Sequence, residues 1–174
     1  MKTVIVGCGR VGAVLADSFD RAGHEVIVID PSTRAFDRLP STFGGNALRG
    51  DGTDEDTLRR AGAEDADIFI ALTEGDNRNV MAAQVALEAL GAKRVIAKIN
   101  DPVRAEAYAD LGIATLCRTL MMADAVAAFL DMPVSGRTGI LPPTGSHPGG
   151  EDHHEAVPDE TSATGAPIGS AQEA

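Results

Sequence analysis

The sequence predicts an α/β fold: a doubly wound parallel sheet of strand order 3-2-1-4-5-6, followed by a disordered tail. Three observations predict it. Short apolar runs, not alternating ones, recur along the first 130 positions, as strands covered on both faces require. Between them lie segments whose apolar residues fall at helical spacing. After Pro133 the composition turns abruptly to Gly, Pro, Ser, Thr and acids.

The elements follow in order. Lys2–Val6 reads as the first strand, and Arg10–Ala22, with Val11, Val14, Leu15 and Phe19 on one face, as the first helix, stopped by Gly23. Glu25–Asp30 is a second buried-type strand. Thr33–Leu39 is a short helix ended by Pro40. Strands are then expected at Ala47–Arg49, Ile68–Leu72, Val95–Lys98 and Ala114–Leu116, with helices near Asp54–Ala61, Asn77–Leu90, Pro102–Ala109 and Thr119–Leu130. Strands separated by helices demand right-handed crossovers, hence the doubly wound arrangement. One domain over 1–133 is expected. Residues 134–174, with six acids from Ser135 on against one Arg, offer too little apolar surface to offset their ordering entropy and are expected to be disordered.

Composition narrows the function. A net charge of -11 argues against unaided binding to duplex nucleic acid or an anionic bilayer, and 3% aromatics with no Trp against base-stacking platforms for single strands. No run of eighteen apolar residues occurs, and the N-terminus lacks a secretory pattern, so no membrane insertion is expected. Cys8 and Cys117 read as reduced thiols of a cytosolic protein.

The chemistry concentrates in "VIVGCGRVG". Gly7, Gly9 and Gly12 form G-x-G-x-x-G directly after a predicted strand and at the mouth of a predicted helix. This is the Rossmann-like context, in which the glycines allow a tight turn, close approach of a pyrophosphate and close packing of helix on strand. Free N–H groups and the helix dipole favour a phosphate there. Asp30 ends the second strand eighteen residues beyond Gly12, placed to hydrogen-bond a ribose diol. Its charge would repel a 2′-phosphate, so ATP, ADP or NAD(H) is expected, not NADP. Cys8, Val11, Pro31 and Gly52 flank these positions. Cys8 is either a thiol activated by the helix terminus or a small residue that fits.

Arg10, a cation at a helix start, opposes the helix dipole and suggests a phosphate partner. Asp51 stands where an adenine pocket would be edged and where the following helix could be capped, two roles that can coexist. Thr73 ends the fourth strand on the ligand side, followed by Asp76, Asn77 and Asn79; Asp76 reads equally as a cap. No Tyr-x-x-x-Lys pair accompanies Tyr108, and His24 lies at the opposite end of the sheet, so no catalytic residues are expected, although an NAD-dependent oxidoreductase or redox sensor is the rival reading. "HPGGEDHHE" in the tail lacks a scaffold to fix a metal. Met121, Met122, Val126, Phe129 and Leu130 form an apolar stripe that is buried either in a partner subunit or against the protein's own sheet.

Three stretches in order, "VIVGCGRVGAVLADSFDRAGHEVIVID", "GDGTDEDTLRRAGAEDADIFIALTEGDNRNVMAAQVA" and "RVIAKINDPVRAEAYADLGI", resemble the RCK N-terminal (TrkA-N) domain of Trk/Ktr-type potassium uptake regulators over about the first 130 residues. The resemblance implies a non-enzymatic domain that binds ATP, ADP or NAD(H). It implies assembly as dimers or rings, or with a second RCK protein, on the inner face of the cell membrane, gating a Trk/Ktr potassium channel subunit. By position it gives Gly7, Gly9 and Gly12 the phosphates, Asp30 the ribose, Asp51 the adenine side and Arg10 a terminal phosphate across a subunit contact. Asn100, Asp101, Pro102 and Arg104 match the fifth-strand exit without ligand contacts. No counterpart of the family's C-terminal lobe is expected from residues 134–174.

Overall fold

A computed structural model describes residues 1–133 and 139–144. Its elements are β1 (Lys2–Val6), α1 (Arg10–Arg21), β2 (Glu25–Asp30), a 3-10 turn (Thr33–Arg38), β3 (Asn46–Arg49), α2 (Glu55–Arg60), β4 (Ile68–Ala71), α3 (Asp76–Glu88), β5 (Val95–Ile99), α4 (Pro102–Ala109), β6 (Ala114–Cys117), α5 (Arg118–Phe129) and β7 (Ile140–Leu141). The sheet order is β3-β2-β1-β4-β5-β6-β7. Every pairing is parallel except β6 with β7.

Alternate residues of each central strand enter different cores, which is why the strands read as continuous apolar runs. Val4, Val6, Ile27, Ile29, Phe69 and Ala71 face a core completed by Leu58 of α2, Ala82, Ala83 and Ala86 of α3, and Ala105 of α4. Ile5, Val26, Val28, Ile68 and Ile70 face the other core, with Ala13 and Ala16 of α1 and Ala35 of the 3-10 turn. Helices thus cover both faces of the sheet. The strand order reverses between β1 and β4, and there the C-terminal ends of the strands open a crevice.

Helix starts differ in a way that bears on that crevice. Asp54 caps α2 by accepting from Thr57 N–H, and Asp101 caps α4 by accepting from Val103 N–H, with Pro102 in the first turn. At α1 and α3 the N-cap is Gly9 or Gly75, with no side-chain cap bond.

The short helix expected over Thr33–Leu39 is present as a 3-10 helix over Thr33–Arg38. One expectation is corrected. A seventh strand, absent from the predicted order, pairs Ile140 with Leu116 and Leu141 with Thr115 inside the stretch read as tail. Leu141 packs on the core and Thr144 hydrogen-bonds Asp110, so a few well-placed contacts order this piece despite its composition. The remaining expected disorder, and the histidine cluster, lie outside the described residues.

Candidate functional site

The glycine turn is shaped by two close approaches. Gly7 has φ +103°, and a Cβ there would stand 3.0 Å from the backbone of Leu72 and Thr73. A Cβ on Gly12 would sit 2.0 Å from the carbonyl oxygen of Gly7, so only glycine lets α1 start this near β1. Gly9 is different: a Cβ there meets nothing within 4 Å, so the fold itself imposes no steric demand at that position.

Asp30 ties the turn to β2. Its Oδ2 accepts from Cys8 N–H at 2.9 Å and its Oδ1 from Ser32 N–H at 2.8 Å. Asp51 accepts from Thr53 N–H at 3.0 Å and Thr53 Oγ1 at 2.8 Å, and these bonds, the backbone one foremost, hold its carboxyl below the usual range. The helix-capping role for Asp51 is overturned, because Asp54 three residues on performs it.

Gly7, Cys8, Gly9, Asp30, Pro31, Asp51, Gly52 and Thr73 converge on one cleft of about 250 Å³. Four sequence-picked residues are not part of its lining. Gly12 lies beneath the turn. Arg10 and Val11 occupy the first turn of α1 and are exposed. Asn77 accepts instead from Arg104, which also stands over the Tyr108 ring at 5.8 Å. Sequence reasoning missed Arg38, Thr53, Glu74 and Arg78, all in the lining. Helical or strand periodicity carries no signal for them, since they reach the cleft from separate elements.

Cys8 is fully buried; burial first, then the charge of Asp30, pushes its thiol up. That corrects the activated-thiol reading: a small side chain fits here. Thr73 donates through N–H and Oγ1 to Asn79 Oδ1, each at 2.7 Å, and Asn79 Nδ2 donates to Thr73 O and Lys98 O. Asp76 neither caps nor lines the cleft. It accepts from Asn100 N–H, Asn100 Nδ2 and Asp101 N–H, lashing the exit of β4 to that of β5.

The apolar stripe of α5 does not pack on its own sheet. Met122, Val126, Phe129 and Leu130 are exposed by 63%, 52%, 87% and 60%, and Leu120 is the one buried residue of the helix. Met122 and Val126, with Ala123, Ala127 and Met132, border an open groove. Among the described residues no helix is long and apolar enough to cross a membrane.

An open doubly wound sheet with a glycine turn and a facing acid at its switch point defines a Rossmann-like domain of the nucleotide-binding class. Within that class the chain belongs to the TrkA-N domain family, whose model matches residues 3–119. It is 50% identical over 124 residues to the Trk system potassium uptake protein TrkA of Streptomyces coelicolor, an alignment covering 71% of this chain and 56% of that protein. The corresponding homolog of Archaeoglobus fulgidus is 37% identical over 102 residues, 59% of this chain and 23% of that one. The chain therefore spans about half, or less, of the curated relatives it matches.

Among solved structures, the TrkA-N domain of the Escherichia coli inner membrane protein ybaL superposes with TM-score 0.66 at 20% identity, covering 74% of this chain and 96% of that one. The AMP-bound Kef C-terminal domain of Shewanella denitrificans gives 0.58 at 21% identity, covering 79% and 83%. The GsuK channel bound to NAD gives 0.60 at 18%, covering 72% and 22%. These likenesses show the shared fold.

Proposed function

We propose that this chain is a nucleotide-sensing regulatory domain of a Trk/Ktr-type potassium uptake system, acting at the cytoplasmic face of the membrane through a channel subunit. The observation that carries the reading is Asp30 set across from an uncapped α1 N-terminus, with open space at Gly9. Amides at that terminus receive phosphate, and the Asp30 carboxylate accepts from a ribose diol. It opposes a 2′-phosphate by like charge. Asp51, kept ionised by Thr53, accepts from the amino group of adenine. The ligand is thus ATP, ADP or NAD(H), not NADP.

A second copy covers the α5 stripe, since so much contiguous apolar surface is costly to leave in water. Arg10, exposed beside the turn, reaches a terminal phosphate held by that neighbour. A nucleotide that favours one dimer geometry then biases the channel by its differential affinity for the two states.

Calorimetry tests this directly. ATP, ADP or NADH should bind, NADP at least tenfold more weakly, and Asp30→Ala should remove the difference. Absence of binding by all four at millimolar concentration would sink the reading, and hydride transfer from bound NADH to an acceptor would replace it with the oxidoreductase.

A further inference from the structure

Two arginines in the cleft have no part in the scheme above. Arg38 ends the 3-10 turn, whose Ala35 packs into the α1-side core; Arg78 lies in the first turn of α3, whose Ala82, Ala83 and Ala86 pack into the opposite core. The sheet's two covering layers therefore deliver one arginine each to the lining of the same cleft, Arg38 with its Nη1 donating to Ala35 O at 3.4 Å. Ion pairs among the described residues join Arg21 to Asp17, Arg59 to Glu55 and Glu64, and Lys93 to Asp67, so neither cleft arginine is neutralised by one.

Their positions can be told apart. Gly52 lies so near Val6 that a Cβ would stand 2.2 Å from its Cγ1, which folds the exit of β3 back on the α3 side. Asp51 is on that wall and feels the charge of Arg78. Cys8 feels the charge of Arg38 from the other. The amides of the glycine turn already serve phosphate, and the carboxylates serve ribose and amino group, which leaves the flat faces of the base without a partner. A guanidinium is planar, weakly hydrated and attracted to π faces.

We propose that Arg38 and Arg78 form the two walls of a stacking slot that grips the purine base from opposite layers of the fold. This rests on the cleft being the adenine-nucleotide site. The arginines then set affinity for the base independently of how many phosphates follow it.

The experiment is calorimetric titration of the full chain with AMP, ADP and ATP, for wild type, Arg38→Ala, Arg78→Ala and Arg78→Lys, with circular dichroism melts confirming that each variant is folded. Stacking predicts that each alanine variant weakens all three ligands by the same factor, about five- to tenfold, and that lysine, charged but not planar, does not restore Arg78. A loss that grows from AMP to ATP and is repaired by lysine would assign Arg78 to phosphate and overturn the proposal. Unchanged affinities in both alanine variants would overturn it too while leaving the nucleotide site intact. Failure of the wild type to bind any of the three removes the site itself.

Discussion

Where β1 and β2 end, the backbone is left available: α1 starts without a side-chain cap, and the turn is steadied by Gly7 N–H on Ile29 O and by Asp30 through Cys8 N–H. Where β4 and β5 end, side chains have taken up the loops: buried Asn79 joins Thr73 to Lys98, and Asp76 joins α3 to Asn100 and Asp101. The first edge leaves the α1 amides without a side-chain cap, and the second satisfies its donors within the fold. A binding edge is kept open by glycines whose neighbours are backbone atoms, whereas a structural edge is closed by amides and carboxylates reaching between strands.

The contrast can be broken at either side. Gly12→Ala should have the largest effect, about 3 kcal/mol of stability in urea denaturation, because its Cβ would strike a backbone oxygen that cannot move aside; an unchanged midpoint would mean the turn is softer than drawn. Asn79→Ala should cost about 2 kcal/mol by stranding Thr73 N–H and Lys98 O in the interior, with faster amide exchange at Thr73 as the local check. Asp30→Ala should lower stability by only about 1 kcal/mol while affecting ligand affinity far more, the reverse of the Asn79 pattern; equal effects on both would erase the distinction between the edges.

Two smaller effects sharpen it away from the cleft. Phe129→Ser should change monomer stability by less than about 0.5 kcal/mol yet shift sedimentation toward smaller species; no shift removes the second copy from α5. Asp67, bonded to Lys93 and to Lys2 N–H, has its carboxyl pulled from 3.8 to about 2. A depressed folded value means that its stabilisation is present above pH 3.8 and is lost as pH falls toward 2. Asp67→Asn should flatten that part of the acid denaturation profile, and an unaltered slope would show that the pair contributes nothing.

The glycine turn and Asp30 were legible because their roles depend on residues a few positions apart and on a strand end that the apolar run announces. Asp51 was legible as a site residue but not in its partner: Asp51 and Asp54 both stand near a helix start, and only backbone geometry shows which one caps it. Asn77 looked like a ligand contact because it follows a strand exit, but Arg104, twenty-seven residues on, holds its amide. Strand β7 is two residues long, too short for any period to register, and its order comes from Leu141, Thr144 and the edge of β6.

By itself, the sequence determined the alternation of buried strands and helices, the glycine turn and the acid opposite it, because burial pattern and local backbone sterics act over a few bonds. Tertiary structure alone decided that Arg38 and Arg78 share a cleft, that Asn79 bridges two strands and that α5 keeps its apolar face in the open. Those outcomes depend on which layer each element joins, a matter of packing between segments far apart along the chain.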